Sequence, residues 1–248
     1  MYGEEFYQKT AMMGRNFIGF QHMRMAAGAR VRRFREEDQS QELIKIQLDY
    51  IKTLTKDEKL LLKDIVTLAK DHQLWAWCQG VKGLGPMACA TFLGYINPYV
   101  ANTGGKSKAY MGLIPDATLK SGEKGKFNPG ARGRMYVVTT NVIRAQDPFY
   151  AGLYYQKKEY YAEKMGSYLE DPTQCPDYAA CAKKLKGRAD KDKRAAKKPS
   201  CKAHIDNRAK RWLSGLLVSH ATEIMRREEG LDNSAFKAHR GYIAPTPY

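Results

Sequence analysis

Between Glu42 and Leu74 the apolar residues Leu43, Ile46, Leu48, Ile51, Leu54, Leu60, Leu61, Leu62, Ile65, Val66 and Leu68 recur at mostly helical spacings. That period predicts amphipathic helix. Thr55-Lys-Asp-Glu58 fits a capping box, in which a hydroxyl and a carboxylate satisfy the first free amides of a helix, so two helices are expected to meet near Thr55. The apolar stripe is broader than a heptad seam, which favours core packing over a coiled-coil arm. Residues 1 to about 40 are mixed polar and rich in Met and Arg. Further on, Phe149 to Leu169 reads as a Tyr-rich helix and Ile205 to Glu229 as a long closing helix. Met135 to Ala145 carries Val137, Val138, Thr139, Thr140, Val142 and Ile143, and locally reads as a strand, with helix as the alternative. From Asn97 to Arg134 scattered glycines break every periodicity, and so long an irregular stretch is usually functional or disordered.

The pattern predicts a mainly α fold: a helical domain with a helix-hairpin-helix, a long Gly-rich basic loop and a small zinc-stapled C-terminal region. Three segments follow from it. Residues 1–74 form an N-terminal helical region that packs on the core or serves as an oligomerisation arm. Residues 75–170 hold the hairpin and the Gly-rich loop. Residues 171–248 hold the zinc-binding basic loop, the closing helix and the tail.

Charge narrows the partners. Forty-two Lys and Arg against 26 Asp and Glu give a net charge of +16, and such self-repulsion is usually kept where a polyanion neutralises it. A membrane surface is the weaker choice. The longest helix-like apolar stretch, Trp212 to Ile224, contains Ser214, Ser219, His220 and Glu223, and no lipidation signal accompanies it. The N-terminal MYGEEFYQKT lacks a basic-then-apolar leader. The expected location is therefore the cytoplasm, with nucleoid or virion association as variants. The five cysteines are expected to be reduced thiols.

The hairpin is the first piece of chemistry. Val81-Lys-Gly-Leu-Gly-Pro-Met-Ala-Cys-Ala90 gives Gly83 and Gly85 to a tight turn and Pro86 to the first turn of the next helix. Bare amides at a helix N-terminus bind phosphate without reading a base. The DNA contacts expected are Lys82, Gly83 and Gly85 here, Lys120, Lys124, Lys126, Arg132 and Arg134 in the Gly-rich loop, and Lys197 and Lys198 further on. The plainer reading of the turn is an ordinary glycine connection between core helices.

Cys175-x5-Cys181-x19-Cys201-x2-His204 offers three thiolates and an imidazole, a donor set that suits structural zinc. The insert between the halves is basic and small, and a metal at its base would anchor it. Unrelated reduced side chains are the alternative. Cys78 and Cys89 read as small core residues, His220 as a satisfied core histidine, and His239 as a spare ligand.

The hairpin, then Ala109-Tyr-Met-Gly-Leu-Ile-Pro115, Lys120-Ser-Gly-Glu123, Gly130-Ala-Arg-Gly-Arg134, Asp147-Pro-Phe149 with Tyr154, and Asn207-Arg-Ala-Lys-Arg-Trp-Leu-Ser-Gly-Leu-Leu217 resemble, in order and spacing, the C-terminal half of insertion-sequence one-ten family transposases. Those are recombinases guided by a bridge RNA. The resemblance covers roughly residues 75 to 230. It implies that Ser121 is a nucleophile toward a DNA phosphate, with nearby Lys and Arg stabilising the charge that develops. It also implies magnesium if the chain is catalytic, held in that family by four acids of a RuvC-like domain. Residues 1–74 are too few and too helical for that domain, so the acids would come from a partner. A loop serine that only contacts phosphate is the other reading of Ser121. Two function classes therefore stand: a serine recombinase, and a non-catalytic architectural or packaging protein (or RNA-binding subunit) descended from one. The partners expected are DNA, mainly through its backbone, a guide or structured RNA, and further copies of the chain.

Overall fold

The computed structural model describes residues 1–248 except 115–124, 176–177, 180–181, 184–185, 187–200, 239–240 and 248; the side chains of Ser167, Tyr168 and Cys201 also lie outside the description. Among the described residues every regular element is helical. In chain order these are α1 (Gly3–Glu36), α2 (Gln41–Ala69), α3 (Gln73–Gly80), α4 (Gly85–Tyr95), α5 (Gly104–Tyr110), α6 (Pro129–Arg144), α7 (Tyr150–Lys164), α8 (Gly166–Glu170), a 3-10 turn (Pro172–Gln174), α9 (Cys201–Glu228) and α10 (Ser234–Lys237). The mainly α expectation holds. None of the described helices is long and apolar enough to cross a membrane.

Three local expectations are corrected. The β-branched run Met135–Ala145 lies in α6, not in a strand. Asn128 caps that helix by accepting from the Ala131 amide at 3.0 Å, and Pro129 opens it. Its buried residues Met135, Val138, Thr139 and Val142 recur every three or four positions, so burial of one helical face outweighs local strand propensity. The Thr hydroxyls find partners: Thr139 meets Ser214 at 2.7 Å and Thr140 donates to the Tyr136 carbonyl at 2.7 Å. Secondly, α2 runs unbroken through Thr55, whose hydroxyl donates back to the Ile51 carbonyl at 2.7 Å. Glu58 accepts from Arg24 of α1, with Nε–Oε1 at 2.5 Å and Nη2–Oε2 at 3.2 Å. Thirdly, the Gly-rich stretch is not irregular throughout: it holds α5 and the start of α6.

The helices α1 and α2 contain 34 and 29 residues, so each spans roughly 40–50 Å at about 1.5 Å per residue. Their inner halves enter the core. There α1 crosses α4 so closely that a Cβ on Gly14 would lie 2.6 Å from the Ala90 carbonyl oxygen and 2.7 Å from Gly94 Cα. In the outer halves Ala27, Val31, Ile44 and Leu54 are buried but stand apart from the main core, while Met25, Leu43 and Ile46 are exposed.

The centre of the core is α9. Ala209, Leu213, Leu217, Val218, Ala221, Ile224 and Met225 on it are fully buried, in one cluster with Phe92 and Leu93 of α4, Met135 and Val142 of α6, and Tyr150 of α7. Each large side chain so buried contributes about 1.5–3 kcal/mol. Several hydroxyls inside this core pair with one another, as burial favours. Ser107 of α5 meets Thr222 of α9 at 2.8 Å. Cys78 and Cys89 are buried, free core thiols, as expected.

Two histidines fix the ends of the packing. The Leu74 amide donates to His72 Nδ1 at 2.9 Å, so Nε2 carries the proton and donates to the Tyr7 hydroxyl at 2.7 Å. Tyr7 in turn donates to Glu229 at 3.2 Å. Glu229 also accepts from the Tyr2 and Gly3 amides at 2.8 and 3.0 Å and from the Tyr99 hydroxyl at 2.8 Å. Burial raises its proton affinity, but these donors outweigh that and hold its carboxyl below the ordinary range. His220 donates from Nε2 to the Ile243 carbonyl at 2.7 Å and accepts from the Tyr150 hydroxyl at 2.8 Å. Tyr150 accepts from Trp77 Nε1 at 3.2 Å. His220 is the satisfied core histidine that the sequence predicts.

Candidate nucleic-acid interface

The turn between α3 and α4 is the element on which the phosphate-binding expectation rests. His72 caps α3 through its ring nitrogen, and the short helix ends at Gly80. The chain then reverses through Val81-Lys-Gly-Leu84, with the Leu84 amide donating to the Val81 carbonyl at 3.2 Å. Gly83 has φ +92° and Gly85 φ +70°, left-handed values that other residues adopt only with strain. Gly83 is needed for a second reason. A Cβ there would lie 2.5 Å from the Asn141 carbonyl oxygen and 2.8 Å from Val142 Cα. The backbone of α6 is pressed onto the turn.

No side chain caps the first amides of α4, and Pro86 sits in its opening turn. An open concavity of about 440 Å³ lies over this place, lined by Gln79, Lys82, Gly83, Gly85, Pro86 and Asn141 among others. Lys82 is exposed at its rim. The amide of Lys82 is taken as well, donating to Asp147 Oδ2 at 3.1 Å. Asp147 is buried and its other oxygen accepts from the Phe149 and Tyr150 amides at 3.1 and 2.8 Å. The same carboxylate thus fixes the turn and the start of α7.

Of the expected contacts outside the turn, three are described, and they differ in exposure. Lys126 is exposed, and Arg132 is half-buried with its guanidinium 5.2 Å from the centre of the Phe127 ring. Arg134 is 6% exposed. It lies inside, near Tyr95 and Glu58, and burial lowers its proton affinity. Ser121, Lys120, Lys124, Lys197, Lys198 and Cys181 lie outside the described residues, as does His239.

A basic and aromatic face that sequence reasoning missed runs along α7 and α9. Lys157 Nζ stands 4.1 Å from the centre of the Tyr160 ring and 5.6 Å from that of Trp212. Tyrosines at helical spacing are more often core or interface groups than base-stacking platforms. Tyr154 fits that, donating to Asp206, whereas Tyr160 is exposed beneath its lysine. Trp212 was hidden as a signal because it lies inside the apolar stretch that also makes the core.

Of the four metal-ligand candidates, two side chains are described. Cys175 Sγ lies 3.9 Å from His204 Nδ1, brought there by the 3-10 turn before Cys175 and the first turn of α9. Among the described residues no group of three or more His, Cys, Asp or Glu is placed to hold a metal ion.

No family model, no curated protein and no solved structure matches this chain.

Proposed function

We propose that this chain binds DNA through the phosphate backbone, seating it on the α3–α4 turn in the manner of a helix-hairpin-helix. The observation that carries the reading is the turn itself: two left-handed glycines deliver the uncapped start of α4 to an open concavity with Lys82 at its rim. An uncapped helix start attracts anions through its amides and dipole. The net charge of +16 supplies the long-range attraction. Binding of duplex DNA should weaken steeply as salt rises, because neutralised phosphates release counterions. A flat salt response removes this reading.

The ordered motifs support a further step, in which the chain acts as the serine-bearing half of an insertion-sequence one-ten type recombinase. In that chemistry Ser121 Oγ gives up its proton and bonds to phosphorus, while the bond from phosphorus to a deoxyribose oxygen breaks and that oxygen takes up a proton to leave as a hydroxyl. The acids that hold magnesium come from a partner. Incubation with branched or supercoiled DNA and magnesium, followed by denaturation, tests it. A covalent adduct that Ser121→Ala abolishes supports the step, and none in the presence of such a partner ends it. The exposed apolar residues on the outer α1–α2 pair favour a second reading, an architectural DNA-binding protein that assembles through this arm. Its mark is full binding by Ser121→Ala with many copies along one DNA.

Structural zinc belongs to the same proposal. A tetrahedral zinc holding one thiolate and one imidazole places S and N about 3.6 Å apart, and the Cys175–His204 separation of 3.9 Å fits that. Cys201 and Cys181 would complete the donor set. One zinc per chain in protein purified without added metal supports it. No zinc, with folding indifferent to a chelator, overturns it.

A further inference from the structure

A second concavity, of about 840 Å³, lies between α5, α9 and the tail. That volume falls in the range of sites for small organic ligands, roughly 300–1,000 Å³. The closing helix supplies one wall with Arg208, Trp212 and Ser219, and α5 supplies Lys108 opposite. Tyr242 and Ile243 of the tail close one side. They are held there by bonds already made, Tyr242 to Glu223 at 2.7 Å and Ile243 to His220 at 2.7 Å.

Among the described residues, the Ser219 hydroxyl and the Lys108 ammonium of this cleft find no partner. The Ser219 hydroxyl is buried and makes no hydrogen bond. Lys108 packs its methylenes along Gly215, where a Cβ would meet its Cδ at 3.5 Å and its Cε at 3.6 Å. Among the described residues no carboxylate lies within ion-pair distance of Lys108, and burial pushes its ammonium below the usual lysine range. The carboxylate on the cleft wall, Glu223, is engaged by Tyr242. A half-buried cation without a counter-ion favours an anionic guest. The indole of Trp212 and the ring of Tyr161 line the same space, and such rings favour a flat guest. An apolar ligand would leave Lys108 desolvated, and a bare anion would leave the rings unused.

We propose that this cleft binds a single unstacked nucleotide, its phosphate at Lys108 and Arg208 and its base against Trp212 and Tyr161. The inference rests on the nucleic-acid reading and gives it a second site. The α3–α4 turn would meet a duplex backbone, and the cleft would take an unpaired nucleotide from a strand end or a loop. A free mononucleotide offers the same chemistry.

The test uses the whole chain and deoxyadenosine monophosphate, with tryptophan emission or titration calorimetry as the readout. Deoxyadenosine and deoxyribose 5-phosphate each lack half of the recognised chemistry and should bind at least about tenfold more weakly. Lys108→Met keeps the methylene packing on Gly215 and removes the charge. It should reduce nucleotide affinity to that of deoxyadenosine while leaving the melting temperature and duplex binding in place. If deoxyadenosine monophosphate does not bind, or binds equally to Lys108→Met, or is matched by deoxyribose 5-phosphate, the assignment is wrong. Displacement of the nucleotide by a short single strand, and not by a blunt duplex, names a strand as the source. Failure of both to displace it names the free nucleotide, and the cleft assignment stands. Salt-sensitive duplex binding without any nucleotide binding overturns the cleft alone. Loss of all nucleic-acid binding overturns both readings.

Discussion

The backbone amide of Lys82 donates to the carboxylate of Asp147 at 3.1 Å, joining the α3–α4 turn to the head of α7 across 65 residues of chain. One buried carboxylate thus holds the amides of Lys82, Phe149 and Tyr150 together. Asp147→Ala should therefore cost about 2–4 kcal/mol, since it leaves three amides without an acceptor. Asp147→Asn keeps one carbonyl oxygen and should lose less. Urea unfolding of the two variants checks the order. Equal stability of Asp147→Ala and the parent chain would sink the claim.

The two glycines of the turn should respond differently. Gly85→Ala meets nothing within 4 Å and faces only the strain of φ +70°, about 1–2 kcal/mol. Gly83→Ala adds a Cβ 2.5 Å from a backbone oxygen that no side-chain rotation can move. It should be the worse of the pair by a further ~1–3 kcal/mol. Melting curves of the two alanine variants, compared directly, decide this.

Stability should fall in mild acid through His72 and His220. Burial is the main cause of each ring's shift, and both are pushed down to about 4 from an ordinary value near 6.5. Each base therefore binds its proton more weakly in the folded chain than in the unfolded one. Between those two values the unfolded state holds more protons, so stability rises with pH there. The contribution is complete above about pH 6.5 and drains as pH falls toward 4, by up to ~3 kcal/mol per ring. Denaturant midpoints at about pH 7 and pH 4.5 should differ by more than carboxylate titration alone provides. His72→Gln and His220→Gln should each flatten the profile, although both lower the starting stability. An unchanged profile in both variants would contradict the assignment.

The Arg24–Glu58 pair holds the outer arm. Glu58 is 7% exposed, while the Arg24 side chain is 35% exposed, so solvent screens part of the attraction. Arg24→Met removes the hydrogen-bonded partner of a buried carboxylate, leaving only the more distant Arg134 charge, and should cost about 1–3 kcal/mol. Adding Glu58→Leu should return most of it, because an apolar pair fits the same space. A double variant no more stable than Arg24→Met would show that the pair does not act as argued.

The helical stretches with one strong apolar face were legible from the sequence, as was the closing helix, whose buried residues recur at the period of its apolar stripe. The strand reading of Met135–Ala145 failed because Val, Thr and Ile restrict side-chain rotation in both environments and only the packing partner decides between them. Thr55-Lys-Asp-Glu58 misled for a similar reason. A threonine followed by a glutamate three positions on also fits a helix interior, where the hydroxyl bonds back to Ile51 and the carboxylate finds Arg24. The turn at Gly83 was legible in its backbone, but its contact with Asn141 was not, since that depends on where α6 lies. The cleft was not legible at all. Lys108, Trp212 and Tyr242 are far apart in the chain and meet only because α9 crosses α5 and the tail folds over it.

Glu229 binds the amides of Tyr2 and Gly3, a contact that spans 227 residues. On a ribosome the start of α1 therefore waits for the 227 residues between Tyr2 and Glu229 to emerge before it can be anchored. Until then α1 has α2 as its neighbour in sequence, and the pair can form early through local contacts. The fastening of α1 is then a clasp that closes once α9, the centre of the core, has brought Glu229 to the start of that helix.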